Sequence, residues 1–373
     1  MRRYRIAIIV GISLVLLTTV LIVGRQWFNR TLLHWYFSST YEPQPLTTAT
    51  LVPAPDSWML VDTPWIAADL PVCQSTSLQM MAAHHGNLQP RPAIDWLMAF
   101  TYGFSALPDS TEVTPFGQDP EIGLQVAAPY LGLQRRYYTT DDPNLWLTAA
   151  RSFIAQGHPV RVALDMGQLY GANELIPHSD VLAGYDQQGF FVYETVCVAP
   201  ANCQPGHHRA GETGLYVTNE QVLAAMEAHA AAFGYPWRYN LTIFLPTTPS
   251  TDIEPVWQQI ARVTLGNQQY GPPTGLAALE QLIVALERGH IAPQRIRETL
   301  ALTARLRREN ATFLRESFAA EPDIVQAATY LAEAATYYEQ ASTATEPSQI
   351  AALLRHAATA ERAFGETIQA YVP

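Results

Sequence analysis

Residues 6–24, IAIIVGISLVLLTTVLIVG, carry no charge, and as a helix they would run ~28 Å, close to the hydrocarbon thickness of a bilayer. The pattern predicts one transmembrane helix. Arg2, Arg3 and Arg5 precede it, and Arg25 follows with no small-residue cleavage site between. This fits an uncleaved signal anchor over 1–30, with a cytoplasmic N-terminus and an extracytoplasmic main body. Residues 31–57 are rich in Pro, Ser and Thr and lack an apolar period, which predicts a tether. In the next region, 58–246, VRVALD (160–165), SDVLAGY (179–185) and FFVYETV (190–196) read as strands, with DQQG between the last two as a hairpin turn. DLPV before Cys73 is an extended entry, and QSTSLQMMAAHH after it is an amphipathic segment ending at Gly86. Cys73 therefore opens a helix. Residues 247–255 form a second Pro/Thr linker. The pattern over 256–373 is helical only: Leu276, Leu279, Leu282, Ile283 and Leu286 form a 3.6-period stripe ending at Gly289. Similar stripes recur in 294–318, 323–341 and 347–370, with Pro322 and Pro347 placed as first-turn prolines. The fold class expected is an α+β domain followed by an all-α helical bundle domain, preceded by one transmembrane helix.

The 373 residues are 48% hydrophobic and 10% aromatic, enough to bury a substantial core. All 22 basic residues are arginines, so Schiff-base lysines and a P-loop are excluded. The formal charge is −11, and since the first thirty residues hold five arginines and no acid, the remainder carries −16. No basic patch is available to neutralise phosphates, so nucleic acid is not an expected partner.

A cysteine at a helix start is favoured as thiolate by the exposed amides and the helix dipole. His178 starts the first hairpin strand and Glu194 ends the second, so the strand ends are neighbours and Glu194 can orient the imidazole if the two share a face. Asp180, two residues beyond His178 on the same strand face, is the second choice of orienting acid. Asp165 and Tyr170 precede the hairpin and are candidates to line a cleft. The histidine pairs 84–85 and 207–208 offer no zinc-ligand spacing, and neither metal nor cofactor is expected. Cys197 and Cys203, with five residues between them in a loop, suit a small disulfide in an exported domain and leave Cys73 free.

The helix-opening Cys73, the GHPV strand, the run HSDVLAGYD from His178 and the acid of VYETV together resemble the papain-like bacteriocin-processing peptidases. FLRES, AATYLAEAATYYEQAS and ATAERAF in the carboxy-terminal part are similar to the helical domain of the branch that includes the butirosin-biosynthesis acyltransferase. The resemblance covers about 58–371. It implies a papain-like thiol domain with Cys73 as nucleophile, His178 as general base and Glu194 as orienting acid. Two departures stand out. Glu occupies a position where such families more often have Asp or Asn, and WIAADLPV lacks the glutamine that usually precedes the cysteine by six residues. The Cys73 backbone amide and Gln74 are the remaining oxyanion candidates.

The expected function is a membrane-anchored thiol hydrolase acting on a peptide or amide through a Cys73 thioester. The alternatives are an acyltransferase of the same fold and a catalytically inactive module that binds a peptide or small molecule.

Overall fold

The computed structural model describes residues 34–106, 112–172, 174–196, 215–266 and 273–372. The span expected at 6–24 and the cysteines at 197 and 203 lie outside them. Among the described residues no helix is long and apolar enough to cross a membrane.

The chain enters as helix α1 (34–41) and strand β1 (Gln44–Pro45), then β2 (Trp58–Met59). Helices α2 (Cys73–His84) and α3 (Arg91–Leu97) follow, then the β3/β4 ribbon (Ser105–Ala106 and Val113–Thr114) and α4 (Pro120–Ala127). The main sheet is built from β5 (Leu133–Thr140), β6 (Val160–Asp165), β7 (Pro177–Tyr185), β8 (Gly189–Tyr193), β9 (Leu215–Thr218) and β10 (Tyr239–Pro246). Interleaved with these strands are α5 (Pro143–Ala155), α6 (Met166–Tyr170) and α7 (Asn219–Phe233). Helices α8 (Glu254–Leu265), α9 (Gly275–Glu287), α10 (Pro293–Ser317), α11 (Pro322–Thr343) and α12 (Pro347–Tyr371) complete the chain. The strand order is β1-β5-β10-β6-β7-β8-β9, antiparallel except for β1 against β5, and β2 also pairs with β7.

Alternation along the strands divides the sheet between two cores. Val160, Val162, Leu164, Leu182, Leu241 and Ile243 cluster with Trp146 and Phe153 of α5 and with Val222 and Met226 of α7. Val181, Ala183 and Phe244 belong to the other core. They join Leu78, Met80 and Met81 of α2 and, beyond them, Trp257, Leu314, Leu331, Phe364 and Ile368 of the helical region. One apolar core therefore runs from the sheet through α2 into the helical bundle.

That arrangement changes the reading of α2. Its segment looks amphipathic in sequence, yet every residue from Cys73 to Ala82 is buried. The polar positions are satisfied internally rather than by water: Ser179 Oγ donates to Ser77 Oγ at 3.2 Å, Thr76 Oγ1 donates to the Val72 carbonyl at 2.9 Å, and Gln74 is bonded to Arg161.

The tether expectation also changes. Within 34–57, Phe37, Tyr41 and Leu46 are buried, and β1 extends the sheet edge. Tyr41 donates to Asp119 Oδ2 at 2.5 Å, and Phe37 and Tyr41 pack against Tyr137 and Trp237. The Pro/Thr composition concealed three apolar anchors. The 247–255 segment is likewise fastened, with Thr247 N–H on the Gly132 carbonyl at 2.8 Å and Ser250 N–H on the Pro129 carbonyl at 2.9 Å.

Arg307 of α10 ties the bundle to the 101–103 loop. It is fully buried, its Nε meets Glu361 Oε1 at 2.6 Å, Nη2 donates to the Gly103 carbonyl at 2.6 Å, and Nη1 donates to the Thr101 carbonyl. Gly103 has φ +74°, and a Cβ there would run into the Val263 carbonyl of α8, so glycine is required on both counts.

Candidate active site

Cys73 is the first residue of α2 and is buried, and Val72 at the N-cap has no side chain able to cap. Thr76 N–H already reaches the Val72 carbonyl. The N–H groups of Cys73, Gln74 and Ser75 thus remain without partners among the described residues, as expected of an uncapped first turn. The positive end of the helix dipole and its free donors sit at the sulfur.

His178 stands second in β7, and register sets Tyr193 opposite Val181. This brings Glu194, just past the end of β8, level with Asp180 and two residues along the same face from His178. His178 Nε2 lies 2.6 Å from Glu194 Oε1, 3.1 Å from Asp180 Oδ1 and 3.3 Å from Thr195 Oγ1. Glu194 is the nearer acid. Cys73 is a further charge and hydrogen-bonding neighbour of the imidazole. Glu194 is fixed in turn by Tyr170 Oη–H at 3.1 Å, by Val196 N–H at 3.1 Å, and through its carbonyl by Trp65 Nε1–H at 2.9 Å.

Burial acts against a charged His178, but the negative charges of Asp180 and Cys73, together with their hydrogen bonds, outweigh it and hold the imidazole well above its ordinary pKa. Burial would raise Glu194 too, yet its bond to His178 and that ring's charge hold it below the usual carboxylate value. Asp180 goes the other way: burial, then the neighbouring Glu194 charge, push it up to about 6 against the pull of His178. Two buried carboxylates share one imidazole, and the one with the shorter hydrogen bond keeps the charge.

One ligand atom from each of His178, Asp180 and Glu194 lies within 4.8 Å of the others, a donor set that a divalent ion accepts. The 2.6 Å from Nε2 to Oε1 is the length of a charge-assisted hydrogen bond. Two zinc ligands, each about 2.0–2.2 Å from the metal, would stand about 3 Å or more apart. As arranged, this nitrogen and oxygen stand closer together than two ligands of one ion.

Cys73, His178, Glu194, Asp180 and Tyr170 are therefore brought together. Asp165 is not part of this group. Its Oδ1 accepts from Gly167 N–H at 2.9 Å and Ile176 N–H at 2.8 Å, capping α6 and closing the loop before β7, so that oxygen is engaged locally. Gln74 has its carbonyl oxygen bound to Arg161 Nη2 at 2.5 Å. Sequence reasoning missed Thr195, Trp65 and the Arg161–Glu121 pair. The lone arginine inside the otherwise uncharged VRVAL was the available signal for the last of these.

No family model matches the chain, and no curated protein matches it. Among solved structures, the crystal structure of a candidate C39-like peptidase from Bacillus anthracis aligns at 14% identity with a TM-score of 0.34, covering 52% of this chain and all of that one. The likeness is low on both measures, and the functional reading rests on the geometry of the site.

Proposed function

We propose that the protein is a papain-like thiol hydrolase that cleaves a peptide or other amide through an acyl-thioester on Cys73. The observation that carries this reading is that His178 has both the helix-opening Cys73 and the buried carboxylate of Glu194 as hydrogen-bonding neighbours. The Cys73 sulfur attacks the amide carbonyl as thiolate, and the unpartnered Cys73 N–H receives the developing oxyanion. The His178 imidazolium gives a proton to the departing amine, leaving a thioester. The neutral ring then takes a proton from water, whose oxygen attacks the thioester and restores the thiolate–imidazolium pair. Glu194 holds the ring and balances its charge throughout.

Transfer of the acyl group to an amine acceptor shares the first half of this cycle. The finer placement beside the butirosin-biosynthesis branch rests on the sequence resemblance of the helical part. Anchoring through 6–24 with an extracytoplasmic body is likewise part of the proposal, motivated by the arginines ahead of that apolar stretch.

The test uses p-nitrophenyl acetate, which acylates an activated thiol with a burst of p-nitrophenolate. The full chain should give a stoichiometric burst that Cys73→Ala abolishes and His178→Ala lowers by roughly 100-fold or more, with all three proteins equally folded by circular dichroism. A burst of wild-type size from the Cys73→Ala protein would sink the reading.

A further inference from the structure

The proposed chemistry leaves one donor to be found, because no glutamine lies in the stretch where a papain-like site usually carries it. A buried network behind α2 bears on that gap. Gln74 follows the cysteine and is 6% exposed, and its Oε1 accepts from Arg161 Nη2 at 2.5 Å. Arg161, in the middle of β6 and fully buried, gives its Nη1 to Glu121 Oε1 at 2.6 Å. Glu121, in the first turn of α4, is braced from its other side by Arg135 Nη2 on Oε2 at 2.5 Å. Burial alone would raise the Glu121 carboxyl, but the two guanidinium groups hold it below its ordinary pKa, so the pairing is ionic.

An arginine cannot accept a hydrogen bond. A guanidinium on one end of a side-chain amide therefore decides which end is which: Oε1 faces Arg161 and the NH₂ faces away. Gln74 Nε2 donates to none of the described residues and is not one of the fully buried polar atoms that lack a partner. An amide so held, beside a nucleophile at an uncapped helix start, is a preset donor. Removing either charge of the Arg161–Glu121 pair would free the amide to rotate.

We propose that Gln74 is the second oxyanion donor of the Cys73 site, and that Arg161, fixed by Glu121, is the positioning residue that aims its NH₂. The proposal rests on the thiol-hydrolase reading. In the acylation step the sulfur bonds to the acyl carbon and the carbonyl oxygen gathers negative charge. Gln74 Nε2–H and Cys73 N–H then bind that oxygen until the leaving group departs.

Two reagents separate this role from a structural one. p-Nitrophenyl acetate acylates through a tetrahedral oxyanion, whereas iodoacetamide alkylates the same sulfur by displacement and forms none. In Gln74→Met, which keeps the side-chain length and loses the donor, the acylation rate should fall about 100-fold while alkylation stays within about twofold. Arg161→Met should show the same split. If that variant does not fold, Glu121→Gln, which only loosens the clamp, should slow acylation several-fold with alkylation unchanged. Unchanged acylation in Gln74→Met, or an equal fall of both reactions, would overturn the proposal. An acylation burst that survives Cys73→Ala would instead overturn the underlying thiol reading, so the two failures are distinct.

Discussion

At the scale of single residues, the two carboxylates on His178 divide their work by environment. Glu194 makes the short bond and stays ionised, while Asp180 sits near 6 and changes charge in the neutral range. Once ionised, Asp180 stabilises the imidazolium. Asp180→Asn should therefore let the imidazolium lose its proton more readily, moving the basic limb of the pH–rate profile down by about one unit, as read from the acylation rate between pH 6 and 10. An unmoved basic limb would mean that Glu194 alone sets the ring's charge. The sequence exposed these residues because a period-two strand and a tight hairpin impose adjacency: two side chains two apart on β7 and one at the end of β8 must meet. It could not expose Glu121 with Arg161, because nothing local links α4 to a strand forty residues on. Asp165 stayed ambiguous because a strand-end acid looks alike in sequence whether it faces a cleft or caps the next turn.

At the scale of elements, polar side chains do not always mark a solvent face. Helix α2 carries Ser75, Thr76, Ser77 and Gln79 and is buried on all sides, because each hydroxyl or amide finds an acceptor or donor inside. Four of the five helices after the sheet, α9 to α12, were legible to within a residue or two, since their stripes and first-turn prolines are local signals, whereas α8 was not. Their fastening to the mixed region was not legible. It depends on Arg307, which reads as one more charge on an arginine-rich helix yet satisfies two carbonyls of the 101–103 loop and pairs with Glu361, itself bonded by Tyr338 at 3.2 Å. Arg307→Met should leave Glu361 buried without its counter-charge and cost about 3–5 kcal/mol in urea unfolding. Arg307→Met with Glu361→Gln should recover part of that loss. Strict additivity of the two substitutions would argue that the pair does not act as a unit.

At the scale of the whole molecule, acid sensitivity should have a specific source. His229 of α7 is buried beside Phe233 and Tyr235, and burial, only partly opposed by Glu121 and Asp165, lowers its pKa to about 4. A histidine depressed in the fold favours the native state above its unfolded pKa of ~6.5 and loses that contribution as pH falls towards 4, here about 3 kcal/mol. His229→Leu should flatten the decline of the urea midpoint between pH 7 and pH 4, and a decline as steep as in the parent chain would assign it to other groups. The division into a mixed region and a helical one was visible in the sequence, whereas the shared core was not, because it gathers residues up to 290 positions apart in sequence. That separation also governs timing. Leu78, Met80 and Met81 of the helix that begins with Cys73 share one apolar core with Phe364 and Ile368. A chain made from its amino end therefore completes this core only after almost three hundred residues have followed Cys73. Under the proposed reading, the nucleophile is made early and stands on a helix whose surrounding core is completed late.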